Sequence, residues 1–135
     1  MTVRVIESCE LLQPGTVYLA CTDDHLILNT YGRLTYVRQP DDAIHRPSVD
    51  VFFESLLRAP VRPGTAILLT GMGRDGAAGL KSLREAGWVT IAQDQATSVV
   101  WGMPGAVAKA GLAAEILPLN SIGPTIERFL KGGKR

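Results

Sequence analysis

Ala66-Ile67-Leu68-Leu69-Thr70-Gly71-Met72-Gly73-Arg74-Asp75-Gly76-Ala77-Ala78-Gly79-Leu80 is the stretch on which the fold of this chain turns. Ala66 to Thr70 is apolar without period-two alternation, the pattern of a strand covered on both faces in a parallel sheet. Gly71, Gly73 and Gly76 let the backbone turn sharply, and Ala77, Leu80 and Leu83 then recur at helical spacing until Gly87 ends the helix. Asp75 falls at or just before the first helical turn, where unpaired N–H groups and the macrodipole favour a carboxylate. Ligands and chemistry gather at the carboxyl ends of strands in open α/β sheets, which makes the loop from Gly71 to Gly76 the leading candidate site.

Downstream, Trp88 to Ala92 reads as the next strand, with Gln93-Asp94-Gln95 leaving its carboxyl end. Ala96 to Met103 is a loop or a short helix. Pro104 opens a short helix that Gly111 stops, and Ile116-Leu117 centres another strand. Asn120 or Ser121 then caps a final helix with the stripe Ile122, Ile126, Phe129 and Leu130. Upstream, Ser48 is a good N-cap for a helix with the stripe Val49, Phe52, Phe53, Leu56 and Leu57, stopped by Ala59-Pro60. Earlier still, Val3 and Val5 sit in an opening strand before the Pro14-Gly15 turn. Val17 to Cys21, His25 to Asn29 and Arg33 to Val37 read as an antiparallel hairpin or meander.

The alternation from Ser48 onward predicts an α/β fold. Its sheet is doubly wound and mostly parallel, with helices on both faces and an added antiparallel β-hairpin. One domain spans 1–135, with a strand and hairpin region at 1–40, the alternating region at 47–131 and a disordered basic tail at 132–135. A doubly wound sheet ordinarily starts with a βαβ unit, whereas this chain starts in short strands. The expectation is therefore an incomplete Rossmann-like domain.

With 46% apolar and 20% charged residues the composition is that of an ordinary globular protein. Its 14 basic and 13 acidic side chains leave a net charge of +1, which gives no footing for nucleic-acid binding. No apolar run approaches the roughly 18 residues of a membrane span, and the N-terminus lacks a signal-peptide pattern. The expected location is the cytoplasm, without membrane insertion. Cys9 and Cys21 are expected to be free, semi-buried thiols. The cysteines and histidines are too scattered for a metal site, and no P-loop lysine follows the glycines.

Gly71-Met72-Gly73-Arg74-Asp75-Gly76 also matches G-x-G-x-x-G, with Asp94 following Gly76 by 18 residues near the place of a ribose-binding acid. Against a dinucleotide site, Asp75 would face the pyrophosphate, with about 4 kcal/mol of repulsion at 4 Å and an effective dielectric of 20. The fingerprint also normally follows the first strand of its fold. Two readings of Asp75 itself stand side by side. It is a helix-capping carboxylate worth about 1 kcal/mol, or an acid that orients a catalytic histidine. A triad drawn from this sequence would combine Asp75, His45 and Ser48. Ser48 is better placed as a helix cap, and His25 as the end of a hairpin strand.

Leu68 to Leu80 resembles the signature of the chemotaxis protein-glutamate methylesterases of the CheB type. The likeness continues collinearly through Ile91-Ala92-Gln93-Asp94-Gln95-Ala96-Thr97-Ser98-Val99-Val100-Trp101-Gly102-Met103-Pro104. Upstream it takes in His45 to Phe53, and Pro14 to Ala20 followed by His25-Leu26. The resemblance implies a Ser-His-Asp esterase that hydrolyses glutamyl methyl esters on the cytoplasmic helices of chemoreceptors. Many such enzymes also deamidate receptor glutamines, and a phosphorylated receiver domain commonly governs them.

By the same resemblance Asp75 falls on the triad aspartate, and Met72 on a position whose backbone N–H lies at the oxyanion site, within the loop formed with Gly71 and Gly73. No cofactor and no metal are implied. The family's serine and histidine lie upstream of the hairpin, before the start of this sequence. The chain is thus expected to be a C-terminal portion, inactive in isolation, or a non-catalytic module that binds receptors or a partner. Cys21-Thr22 stands where the family commonly has Pro-Gly, which bears on that turn's shape. Expected partners are methylated receptor helices, a receiver domain and a chain supplying the serine and histidine. Self-association would hide an uncovered sheet edge and apolar surface.

Overall fold

The computed structural model describes residues 1–132, and the chain divides between Arg62 and Pro63 into two units. The expected tail from residue 132 falls mainly on 133–135, outside the described residues. The final helix is assigned through Gly132.

In the first unit, β1 (Thr2–Val5) pairs in parallel with β3 (Thr16–Leu19), in the register Val3 opposite Val17 and Val5 opposite Leu19. Between them runs β2 (Glu10–Leu11), which pairs antiparallel with β5 (Arg33–Val37), and β5 pairs antiparallel with β4 (His25–Leu28) on its other side. The predicted hairpin is the β4–β5 pair. Its turn closes because Asn29 Oδ1 accepts from the N–H groups of Tyr31 and Arg33, both at 3.0 Å, and Gly32 takes a φ of +76°. The strand from Val17 does not join a meander. Thr22 Oγ1 accepts from Asp24 N–H in a local turn that leads away from β3, and β3 finds its partner in β1 instead. Tyr18 helps to pin the connection, accepting from Gln13 N–H at 2.8 Å and donating to Leu11 O at 3.3 Å.

α1 (Val49–Arg58) starts where Ser48 Oγ accepts from Val51 N–H at 3.3 Å, with Asp50 in its first turn and Arg58 in its last. Its inner stripe packs on the β4–β5 hairpin. Phe52 and Leu56 join Tyr18, Leu26 and Tyr36 around the buried Ile6, Leu28 and Leu34, whereas Leu57 lies at the exposed edge. Ser55, buried inside this helix, donates to Phe52 O and accepts from Leu28 N–H at 3.0 Å, so its hydroxyl is satisfied.

The second unit is the alternating one. β6 (Thr65–Leu68), β7 (Val89–Gln93) and β8 (Glu115–Leu117) form a parallel sheet in the order β6-β7-β8. α2 (Ala77–Glu85) and α3 (Met103–Lys109) pack on each other and on β7, and α4 (Leu119–Gly132) packs on β7 as well. Thr90 to Gln93 are buried at four successive positions, and because neighbouring strand residues face opposite ways, both faces of β7 are covered. Leu80, Leu83, Ile91 and Val107 are fully buried, each contributing about 1.5–3 kcal/mol by removal from water.

Both short helices stop as the glycines predict. Trp88 N–H reaches Leu83 O and Gly87 N–H reaches Arg84 O, and Leu112 and Gly111 repeat that pattern on Val107 and Ala108. In α4 the buried position after Ile122 is Thr125, and Leu130 is exposed, because the stripe advances by three and four residues from Ile122. Cys9 and Cys21 are free, and both are exposed rather than semi-buried. Among the described residues no helix is long and apolar enough to cross a membrane.

Candidate functional site

Beyond Leu68 the chain leaves β6 and enters the turn that carries Gly71, Met72, Gly73 and Asp75. A second segment, Val100 to Met103, is laced to it. Gly71 N–H donates to Val100 O at 2.9 Å, and Gly71 O accepts from Gly102 N–H at 3.0 Å and Met103 N–H at 2.9 Å. Thr70 Oγ1 donates to Val100 O and accepts from Val100 N–H, both at 2.9 Å. Gly71 and Trp101 thereby form a parallel bridge that prolongs the sheet past the ends of β6 and β7.

The glycines are needed for this approach. A Cβ on Gly102 would lie 2.7 Å from Gly71 O and 2.8 Å from Gly73 N, both backbone atoms that cannot step aside. On Gly71 it would meet Met103 Sδ at 2.7 Å. Gly73 has a φ of +85° and Gly76 of +93°, backbone geometry that other residues rarely adopt. Within this framed turn the two notable side chains part company. Asp75 is 9% exposed, whereas Met72 is 79% exposed. The N-cap position of α2 belongs to Gly76, and Asp75 stands one residue before it.

Of the other sequence candidates, His25, Ser48 and Asp94 hold structural posts. His25 is buried. Its Nδ1 accepts from Ser48 N–H at 3.0 Å, so the proton rests on Nε2, which donates to Pro40 O at 3.0 Å. Arg46 covers the same carbonyl at 2.9 Å, reaches Arg38 O at 3.0 Å and pairs with Asp24 and Asp41. Ser48 caps α1, and His45 is exposed. His25 thus does more than end a strand: it ties the loop of residues 38–48 to β4. Asp94, the ribose-acid candidate, gives its Oδ1 to Thr97 N–H at 3.0 Å and Thr97 Oγ1 at 2.6 Å. Among the described residues no three His, Cys, Asp or Glu side chains gather as metal ligands.

Gln93 stands out although the sequence gives it no special role. It ends β7 at 1% exposure, with Thr70 N–H donating to its Oε1 at 2.8 Å and its Nε2 donating to Thr97 O at 2.8 Å. The available signal is a polar amide at the last position of an apolar, doubly covered strand.

A family model described as CheB methylesterase matches residues 1–126. A protein-glutamate methylesterase/protein-glutamine glutaminase of Cupriavidus metallidurans is 53% identical over 135 residues, all of this chain and 40% of its own length. One from Cupriavidus pinatubonensis is 52% identical over 126 residues, covering 93% of this chain and 37% of itself. The solved catalytic domain of the Thermotoga maritima CheB methylesterase superposes with a TM-score of 0.77 at 34% identity, over 89% of this chain and 65% of that one. The chain therefore spans about two fifths of the length of the curated relatives it matches.

Proposed function

The chain belongs to the CheB methylesterase family, and we propose from that premise that it forms the aspartate-bearing part of a protein-glutamate methylesterase. The observation that carries this is the placement of Asp75. It is a buried acid in a glycine turn beyond a strand end, a turn whose start at Gly71 is bonded to Val100, Gly102 and Met103. In the reaction a serine hydroxyl attacks the glutamyl methyl ester carbonyl while a histidine takes the serine proton. The tetrahedral oxyanion collapses, the histidine gives its proton to the departing methanol, and water then cleaves the acyl-enzyme by the same route. Asp75 orients that imidazole and stabilises it when protonated, and the Met72 backbone N–H donates to the oxyanion. One such donor is worth about 2.7–4 kcal/mol.

In this reading the serine and histidine come from residues outside this sequence, as the family resemblance implies, and Ser48 and His25 serve as a cap and a loop anchor. The same apparatus serves glutamine deamidation, with ammonia leaving in place of methanol, in keeping with the double name of the relatives. The substrates are the cytoplasmic helices of methylated chemoreceptors, and a receiver domain regulates access, which places the protein in the cytoplasm. The apolar face shared by Val3, Val5, Val17 and Leu19 is exposed and supports self-association of the isolated chain.

The test is complementation. The chain is mixed with the segment of the Cupriavidus metallidurans relative that lies outside the match, and methanol release from methylated receptor is followed. Recovery of turnover supports the reading. Receptor binding without recovery would leave a non-catalytic binding module.

A further inference from the structure

We propose that Gln93 is the positioning residue of the site turn: its side-chain amide clasps the turn after β6 to the segment that follows β7, and so sets where the Gly71–Met72 backbone lies. Gln93 Oε1 accepts from Thr70 N–H at 2.8 Å, one residue before Gly71. Gln93 Nε2 donates to Thr97 O at 2.8 Å and to Thr97 Oγ1 at 3.2 Å. Only this orientation of the amide satisfies both sides, since Thr70 offers a donor and the Thr97 carbonyl an acceptor.

Thr97 is itself immobilised. Its hydroxyl proton goes to Asp94 Oδ1 at 2.6 Å, and Oγ1 accepts from Leu119 N–H at 3.0 Å. The Gln93 main chain is held too, its carbonyl accepting from Trp101 Nε1 at 2.9 Å. One buried side chain thus connects the turn after β6, the loop after β7 and the start of α4. Beyond it the contacts of Val100, Gly102 and Met103 with Gly71 repeat the connection in the backbone. Gln93 is buried while Thr70, Thr97 and Leu119 stand at the surface around it. An amide whose donor and acceptor are both satisfied there favours one geometry, and a misplaced donor at an oxyanion site loses most of its effect. The consequence for catalysis rests on the esterase reading; the clasp itself does not.

The discriminating substitution is Gln93→Glu. The Thr97 hydroxyl proton is already given to Asp94, so a carboxylate at position 93 would face the Thr97 carbonyl and Oγ1 with no donor between them. A protonated carboxyl restores the donor. In the 135-residue chain, amide-exchange protection of Thr70, Gly71 and Leu119 in the Gln93→Glu variant is expected to match the unsubstituted protein at acid pH. It should fall by roughly tenfold or more as the carboxyl ionises, while Leu80 and Ile91 stay protected throughout. Gln93→Leu should lose the Thr70 protection at every pH. Protection of Thr70 that is unchanged in both variants would overturn the clasp, as would a loss spread evenly over all amides.

Catalysis is read in the Cupriavidus metallidurans relative carrying this sequence in its matched segment. Gln93→Glu should there lower kcat and leave KM in place. Unchanged kcat would overturn the positioning role. Absence of turnover before any substitution would instead count against the esterase reading, with the clasp judged by protection alone.

Discussion

Ser48 donates its backbone N–H to Nδ1 of His25 at 3.0 Å, across 23 residues of sequence. That bond makes the ring a neutral acceptor on one side and a donor to Pro40 O on the other. The bond occupies the Nδ1 of the buried histidine, and the Ser48 hydroxyl separately accepts from Val51 N–H as the cap of α1. His25→Ala should therefore cost folding stability, about 2–4 kcal/mol, because it leaves a buried N–H without its acceptor and opens a cavity. Urea unfolding checks this. A change below about 0.5 kcal/mol would mean that the loop holds itself.

Gly102 and Gly123 should respond very differently to alanine. At Gly102 a Cβ meets Gly71 O and Gly73 N, so Gly102→Ala should destabilise by about 2 kcal/mol or more and loosen the site turn. At Gly123, inside α4, nothing beyond its chain neighbours and its own helix lies within 4 Å of a Cβ, but the Pro124 ring that follows disfavours a Cβ in helical geometry and offsets the usual gain, so Gly123→Ala should change stability by less than about 0.5 kcal/mol. Thermal melts of the two variants decide the matter.

Tyr36 gives a pH signature. Burial first, and then its hydrogen bond with the Cys21 thiol, hold the phenol above its ordinary value of 10.0. Its O–H also donates to Ile6 O at 2.6 Å. The neutral form is favoured in the folded state, so the contribution is fully present below about pH 10 and is lost as pH rises through the raised pKa. Tyr36→Phe should cost about 1 kcal/mol at neutral pH and flatten this alkaline loss. Denaturant midpoints of both proteins between neutral and strongly alkaline pH provide the comparison.

The exposed face of Val3, Val5, Val17 and Leu19 should drive association of the isolated chain, since a two-stranded parallel sheet is rarely left bare. Sedimentation should show species above the monomer mass, and Val17→Lys should shift the population to monomer. A monomeric unsubstituted chain would remove the self-association proposal.

Much of the fold could be read from local signals. Ser48, Gly87 and Gly111 mark helix ends by chemistry that acts within a few residues, and the unbroken apolar run at Ala66 announces a strand. Coverage of both faces falls on β7 rather than on β6, where buried Ala66 and Leu68 alternate with half-buried Ile67 before the exposed Leu69. The parallel pairing of β1 with β3 was not legible, because Val3 opposite Val17 depends on where a connection of ten residues leads, not on the composition of either strand. The framing of the candidate turn was half legible for the same reason. Gly73 and Asp75 declare themselves within one turn, whereas Gln93 acts on Thr70 from 23 residues away, and a lone glutamine carries no mark of that reach.

The Asp75 turn is proposed to supply the acid of a methylesterase. Its most direct test places this sequence in the matched 135-residue segment of the Cupriavidus metallidurans relative and compares methanol release from methylated receptor before and after Asp75→Asn. The account predicts turnover in the unsubstituted protein and a fall of about 10³–10⁴ in kcat on substitution, with the unfolding midpoint little changed. Turnover that survives Asp75→Asn undiminished would contradict it.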